Sequence, residues 1–279
     1  MTVALHLKRV GFLASLMVLV SLPVSAQLLP FTHYTPDNEI APLPSADVID
    51  VDQDRLGFIW LTVFSSGLVR YDGHTAEVYA MADGLRDLSV RTVTEDRLGR
   101  LWVASDGGLS VSTKPLADYG PNERIRFSTR IQGTELLDVS VTQVALSIDR
   151  DGRIWAGTSA RGIVRYTILD DGSLAADTIS TAVDENEENL IVYAVETRRN
   201  GDVWATVSRF NTTYFLVFEE GADDFDIVPA PFADPVNVLY DAPDSTLWVG
   251  TKVGSVWRLA REATQIRFDP VIGGLEGDI

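Results

Sequence analysis

The stretch Val90–Val111, VRTVTEDRLGRLWVASDGGLSV, decides the fold of this 279-residue chain. Its first six residues alternate apolar and polar, the pattern of a half-buried β-strand. Asp96-Arg97-Leu98-Gly99 reads as a tight turn, Arg100–Ala104 as a second strand centred on Trp102, Asp106-Gly107-Gly108 as another turn, and Leu109-Ser110-Val111 as a third strand. Ile125-Arg126-Phe127-Ser128 adds a fourth strand-like run, so the unit is a four-stranded antiparallel meander with tight hairpins.

The same unit recurs along the chain. Trp60, Trp102, Trp155, Trp204 and Trp248 hold equivalent places, separated by 42, 53, 49 and 44 residues. A period of roughly 40 to 50 residues built only from strands signals propeller blades. A glycine closes the first hairpin in four units (Gly57, Gly99, Gly152, Gly201), because it enters the left-handed backbone region without a Cβ clash. The fifth unit has Ser245 there, at a cost of about 1 kcal/mol if the geometry is kept. Periodic recurrence assigns the tryptophans to packing between neighbouring sheets rather than to stacking platforms for sugars or bases. Unit four departs most: Arg209–Tyr214 lengthens its second hairpin and contains an N-x-T sequon at Asn211.

The first 26 residues stand apart. Lys8 and Arg9 precede the apolar run Val10–Val20, and Val24-Ser25-Ala26 supplies an A-x-A-like site, so residues 1–26 read as a secretory signal peptide cleaved before Gln27. Residues 27–279 then form the propeller. Removing Lys8 and Arg9 leaves 21 basic against 40 acidic residues, a net charge of −19. With three lysines in all and no basic run, the chain lacks what nucleic-acid binding requires. Cysteine is absent, which excludes disulfides, thiol catalysis and cysteine metal sites.

Catalytic chemistry finds little support in the residues. Only His33 and His74 follow the signal segment, and both fall in or near connections, so no catalytic residue is assigned. Asp50, Asp52 and Asp54 alternate like the opening of a calcium loop, but Arg55 stands where that loop needs Gly and Leu61 where it needs Glu. No metal or cofactor is therefore expected. Extra residues fall in Lys114–Glu123 and in Asp170–Asn189, the latter with the acidic run Asp184–Glu188. Insertions in a propeller map to its rims, which makes these two segments the candidates for recognition, with ligand-binding residues unassigned.

The composite V-x-x-I-x-x-D-x-x-G-x-x-W-x-G-T-x-x-G-L-x-R-Y-D-G, drawn from these units, resembles the two-component regulator propeller repeat. Ala46–Gly73 is the fullest copy, the likeness runs over roughly residues 31–268, and Tyr79–Leu85 is similar to the Y-x-x-x-D-G-L linker of that family. The resemblance implies the periplasmic sensing region of hybrid or classical sensor kinases, acting by binding, often on oligosaccharides, as one of two partner copies, with membrane attachment and output domains downstream. It also implies seven blades per ring. Against that number the chain offers five blades and an orphan outer strand at Phe31–Tyr34, while Gly274-Leu275-Glu276 resembles the doorstep of a sixth unit; the expectation is a partial seven-bladed ring, truncated at its C-terminus. A free-standing exported propeller for polysaccharide or protein interaction is the alternative, and a propeller lyase using histidine with a metal is a third reading.

Overall fold

Hairpin by hairpin, the alternating runs close into four-stranded antiparallel sheets. The computed structural model describes residues 42–182, 190–210, 212–222, 224–262 and 265–272, all within the unit Tyr34–Ile279. Blade 1 comprises β1 (Val48–Gln53), β2 (Ile59–Val63), β3 (Gly67–Tyr71) and β4 (Ala76–Tyr79). Blade 2 comprises β5 (Val90–Glu95), β6 (Leu101–Ser105), β7 (Gly108–Ser112) and β8 (Phe127–Ser128), and is followed by a small hairpin of β9 (Arg130–Ile131) and β10 (Thr134–Glu135). Blade 3 comprises β11 (Val141–Ile148), β12 (Ile154–Thr158), β13 (Ile163–Ile168) and β14 (Leu174–Ile179). Blade 4 comprises β15 (Val192–Thr197), β16 (Val203–Arg209), β17 (Thr212–Phe218) and β18 (Asp226–Pro229); blade 5, β19 (Val236–Asp241), β20 (Leu247–Thr251), β21 (Val256–Glu262) and β22 (Gln265–Ile272). Strands pair in chain order within every blade, as in a meander. The fold is a β-propeller, with no α-helix among the described residues. The signal-like segment, Phe31–Tyr34, Asp184–Glu188, Asn211 and Gly274–Glu276 lie outside the described residues.

The turn chemistry follows the residue types. Gly57, Gly99, Gly152 and Gly201 all have positive φ, and Ser245 keeps the left-handed geometry at φ 65° despite its Cβ. Unit four lengthens its hairpin by pairing Ser208 with Thr213 and Arg209 with Thr212, which lifts Phe210 to the tip.

Packing between blades is organised by the tryptophans. Trp60, Trp102, Trp155 and Trp204 are 0–1% exposed and each shares a buried cluster with side chains of the next blade, Trp60 with Val90 and Val103, Trp204 with Val236 and Leu239, while the Trp102 and Trp155 rings lie 5.9 and 5.0 Å from those of Tyr166 and Phe218. Trp248 is half-buried, and Val238 and Tyr240 on its face of blade 5 are exposed. In blades 1 to 3 an aspartate six residues before the tryptophan locks the ring. Asp54, Asp96 and Asp149 accept the indole N–H of Trp60, Trp102 and Trp155 at 2.8, 2.9 and 2.8 Å, while their other oxygen accepts backbone N–H groups of the same turn.

Two sequence readings need correction in extent. The extra residues of the second unit lie partly in the hairpin β9–β10, not only in Lys114–Glu123. Asp170–Asn189 is not wholly an insertion, because Leu174–Ile179 is the outer strand of blade 3. The outer strand of blade 2 is only Phe127–Ser128; just before it the Arg126 N–H is taken by the Tyr119 hydroxyl at 3.3 Å, and the Arg124 and Arg126 side chains bind Asp83 at 2.5 and 3.3 Å.

Candidate functional site

A cleft of about 680 Å³ opens where the turn ends of blades 1 and 2 meet. Blade 1 supplies Leu56 and Phe58 from the β1–β2 turn, Arg70 from β3, Asp72 from the β3–β4 turn and Glu77 from β4; the segment between β7 and β8 of blade 2 supplies Leu116, Tyr119, Asn122 and Glu123. One of the two rim segments expected from the sequence, Lys114–Glu123, thus forms a wall of this cleft. Internal bonds hold that wall: Lys114 donates to Glu123 at 2.7 Å and lies 4.4 Å over the Tyr119 ring, and the Glu123 carboxylate also accepts the Gly120 N–H. These contacts, the Lys114 hydrogen bond first, hold the Glu123 pKa below the usual range.

Arg70 forms the floor. Its guanidinium lies 3.5 Å from the centroid of Phe58 and 5.9 Å from that of Trp60, and Glu77 stands 4.0 Å away. The cross-strand register Trp60–Arg70–Glu77 recurs as Trp155–Arg165–Asp177 and Trp248–Arg258–Asp269, and in blades 1 and 3 the arginine lies over its tryptophan at 5.9 and 5.3 Å, a structural role as a lid. In blades 3 and 5 the ion pair closes to 3.1 Å; in blade 1 it is the loosest, and Arg70 Nε has no hydrogen-bond partner among the described residues. The cleft therefore presents a partly committed guanidinium beside an aromatic face.

Its carboxylates are poor acid–base candidates. Asp72 accepts the backbone N–H of Thr75 and His74 at 2.6 and 2.7 Å and the Thr75 hydroxyl at 2.9 Å, which lowers its pKa to about 2. Glu77 accepts the Tyr79 hydroxyl at 2.8 Å. Groups so arranged can hold a polar ligand by hydrogen bonds and stacking, but they supply no nucleophile with an adjacent base.

The other residues singled out from sequence are dispersed. Asp50 accepts the Thr92 hydroxyl at 2.6 Å, Asp52 its neighbour's N–H on Gln53, and Asp54 the Trp60 indole, so the three carboxylates do separate jobs. Among the described residues no group of three or more acidic or histidine side chains could hold a metal. His74 is exposed in the β3–β4 turn, and His33 lies outside the described residues. Nothing in the sequence singles out Phe58, and the G-L-x-R-Y stretch of the composite marks Arg70 as a repeated residue without revealing the gap beside it.

No curated protein matches the chain. Among solved structures, it is similar to the extracellular domain of a protein described as a hybrid two-component system of B. thetaiotaomicron (15% identity, TM-score 0.59, covering 77% of this chain and 28% of that one). A second such domain from that organism, described as a one-component system, shares 20% identity at TM-score 0.58 over 82% of this chain and 31% of that one. The chain thus spans about a third or less of the length of both. Virginiamycin B lyase from Staphylococcus aureus has the same fold at 13% identity and TM-score 0.54, over 80% of this chain and 69% of that one. At these identities the likeness is one of fold. No helix among the described residues is long and apolar enough to cross a membrane. The two-component regulator propeller model matches residues 84–107 and 135–160, covering the units of Trp102 and Trp155 rather than the Ala46–Gly73 copy, and identifies the chain as one that carries two-component regulator propeller repeats.

Proposed function

We infer that the chain is the extracytoplasmic ligand-sensing portion of a transmembrane signalling protein, and that it acts by binding. The observation that carries this reading is the cleft between blades 1 and 2, walled by Lys114–Glu123, where the chain departs from its repeat and opens a polar, aromatic-edged space. Two matched regulator-propeller repeats and the likeness to extracellular domains of signalling proteins support it. The ligand is a small polar molecule or a short oligosaccharide, gripped by Arg70, Asn122 and the edges of Phe58 and Tyr119. Its arrival changes how the propeller packs against a partner copy, and downstream modules turn that change into output. The signal-like segment 1–26 supports a periplasmic location for the domain.

A thermal-shift screen of mono- and oligosaccharides on the full chain, followed by calorimetry, tests the reading. A binder whose affinity falls at least about tenfold in Arg70→Gln, a loss of about 1.4 kcal/mol, supports the cleft. Binding untouched by Arg70→Gln and by Tyr119→Ala moves the site elsewhere, and failure of every saccharide to bind removes the sugar-sensing form.

A further inference from the structure

Blades 4 and 5 meet around a buried Arg198–Asp241 ion pair with the Glu196 carboxyl beside it. Where blades 1 to 3 begin the first turn with aspartate, blade 4 has Arg198, which is 8% exposed and donates from Nε to Asp241 Oδ1 at 3.0 Å and from Nη2 to the Ser245 carbonyl at 2.5 Å. Asp241, 3% exposed, also accepts the backbone N–H of Arg199 at 2.8 Å. The third party is Glu196 on β15, half-buried, whose Oε1 accepts the backbone N–H of Asp241 at 3.3 Å.

The charged groups that face Glu196 are Asp241 from β19 and Arg198 and Arg199 from the β15–β16 turn. Arg198 is already engaged with the buried Asp241, and Arg199 is exposed to solvent, so the two arginines only partly offset the burial of the Glu196 carboxyl. Burial first, with the Asp241 charge adding to it, pushes the Glu196 pKa from 4.5 to about 7, against the lowering effect of the Asp241 N–H and the arginines. The interface is also the least satisfied one: Trp204 Nε1, Thr206 Oγ1 and Asn237 Oδ1 are buried without a hydrogen-bond partner among the described residues. The other joints differ. Between blades 1 and 2, Glu95 accepts the Arg55 N–H at 2.8 Å with the Arg55 guanidinium alongside; between blades 3 and 4, neutral hydroxyls of Ser147 and Thr197 meet at 2.9 Å.

We propose that Glu196 makes the interface of blades 4 and 5 a proton-operated joint, closed on the Arg198–Asp241 pair when the Glu196 carboxyl is neutral and loosened when it ionises. The sign follows from linkage. A carboxyl whose folded pKa is raised binds its proton more tightly in the closed joint than in the open one, so opening grows as pH rises between the two values and levels off above the higher.

Amide hydrogen exchange of the full chain, corrected for intrinsic rates, reads the joint directly. From pH 5.5 to 7 the opening constant of β19–β20 rises by up to about tenfold per pH unit in the native chain, stays flat in Glu196→Gln, and is flat for β5–β6 in both. An unchanged slope in Glu196→Gln, or the same slope in β5–β6, overturns the proposal. Should the variant not fold, the carboxyl carbon resonance of Glu196 in the native chain decides it: a midpoint near 7 upholds the joint and one near 4.5 sinks it.

Discussion

Asp96 carries more than a turn. Its carboxylate accepts the Leu98 and Arg100 backbone N–H groups, the Arg100 guanidinium at 2.8 Å and the Trp102 indole at 2.9 Å, all in or near a buried environment. Removing it leaves several donors unsatisfied at once, so Asp96→Ala should cost about 3 kcal/mol in urea unfolding. At Ser245 the opposite holds. The serine sits at φ 65° in a place where other units have glycine, and Ser245→Gly should raise stability by about 1 kcal/mol; a loss would mean that its hydroxyl or Cβ does something the backbone argument omits. The serine's strain was legible in the sequence, because it follows from aligning five turns. The indole clamp was only half legible: an aspartate in a turn is expected to bind backbone, but its reach to a ring six residues on depends on the strand register that brings the two together.

At the level of elements, the strands followed directly from alternation, and the crossovers between blades did not. Gly108 opens β7 at φ 114°, and a Cβ there would collide with the Leu137 carbonyl in the chain entering blade 3; its neighbour Leu109 donates its N–H to that same carbonyl at 2.9 Å. Gly84 stands likewise against the Phe127 carbonyl. Gly73 shares the positive φ, at 96°, but a Cβ would meet nothing within 4 Å. Gly73→Ala should therefore cost about 1 kcal/mol, whereas Gly108→Ala, which must displace backbone, should cost more than about 3 kcal/mol; equal midpoint shifts would rule out the close approach as the reason for glycine at position 108. All three read alike in sequence, since the contacts at Gly84 and Gly108 are with Phe127 and Leu137, far along the chain. The Asp83 clasp explains the Y-x-x-x-D-G-L linker in the same way: its carboxylate accepts the Ala80 N–H at 3.0 Å and binds Arg124 and Arg126 of blade 2.

The cleft belongs to the whole molecule, because Phe58, Arg70 and Tyr119 meet only when two blades pack, and the sequence marked just one of its walls. The same scale governs the charge. The chain carries a net −17, and its ion pairs are mostly exposed, as Arg130–Glu135 and Arg150–Glu220 are. Exposed pairs contribute about 0–1 kcal/mol each and weaken in salt, while the self-repulsion of an acidic molecule also weakens in salt and acts the other way. The pairs that matter most, Arg198–Asp241 and Arg100–Asp96, are shielded from solvent and are screened less. Repulsion should therefore dominate the response. At pH 8, where Glu196 is ionised, raising sodium chloride from about 20 mM to about 500 mM shortens the screening length to under about 5 Å and should move the urea midpoint upward with an unchanged slope. A downward shift would assign the larger share of stability to the exposed pairs, and Arg55 and Arg150, five residues before Trp60 and Trp155 and paired with glutamates of the next blade, would then be the first to replace.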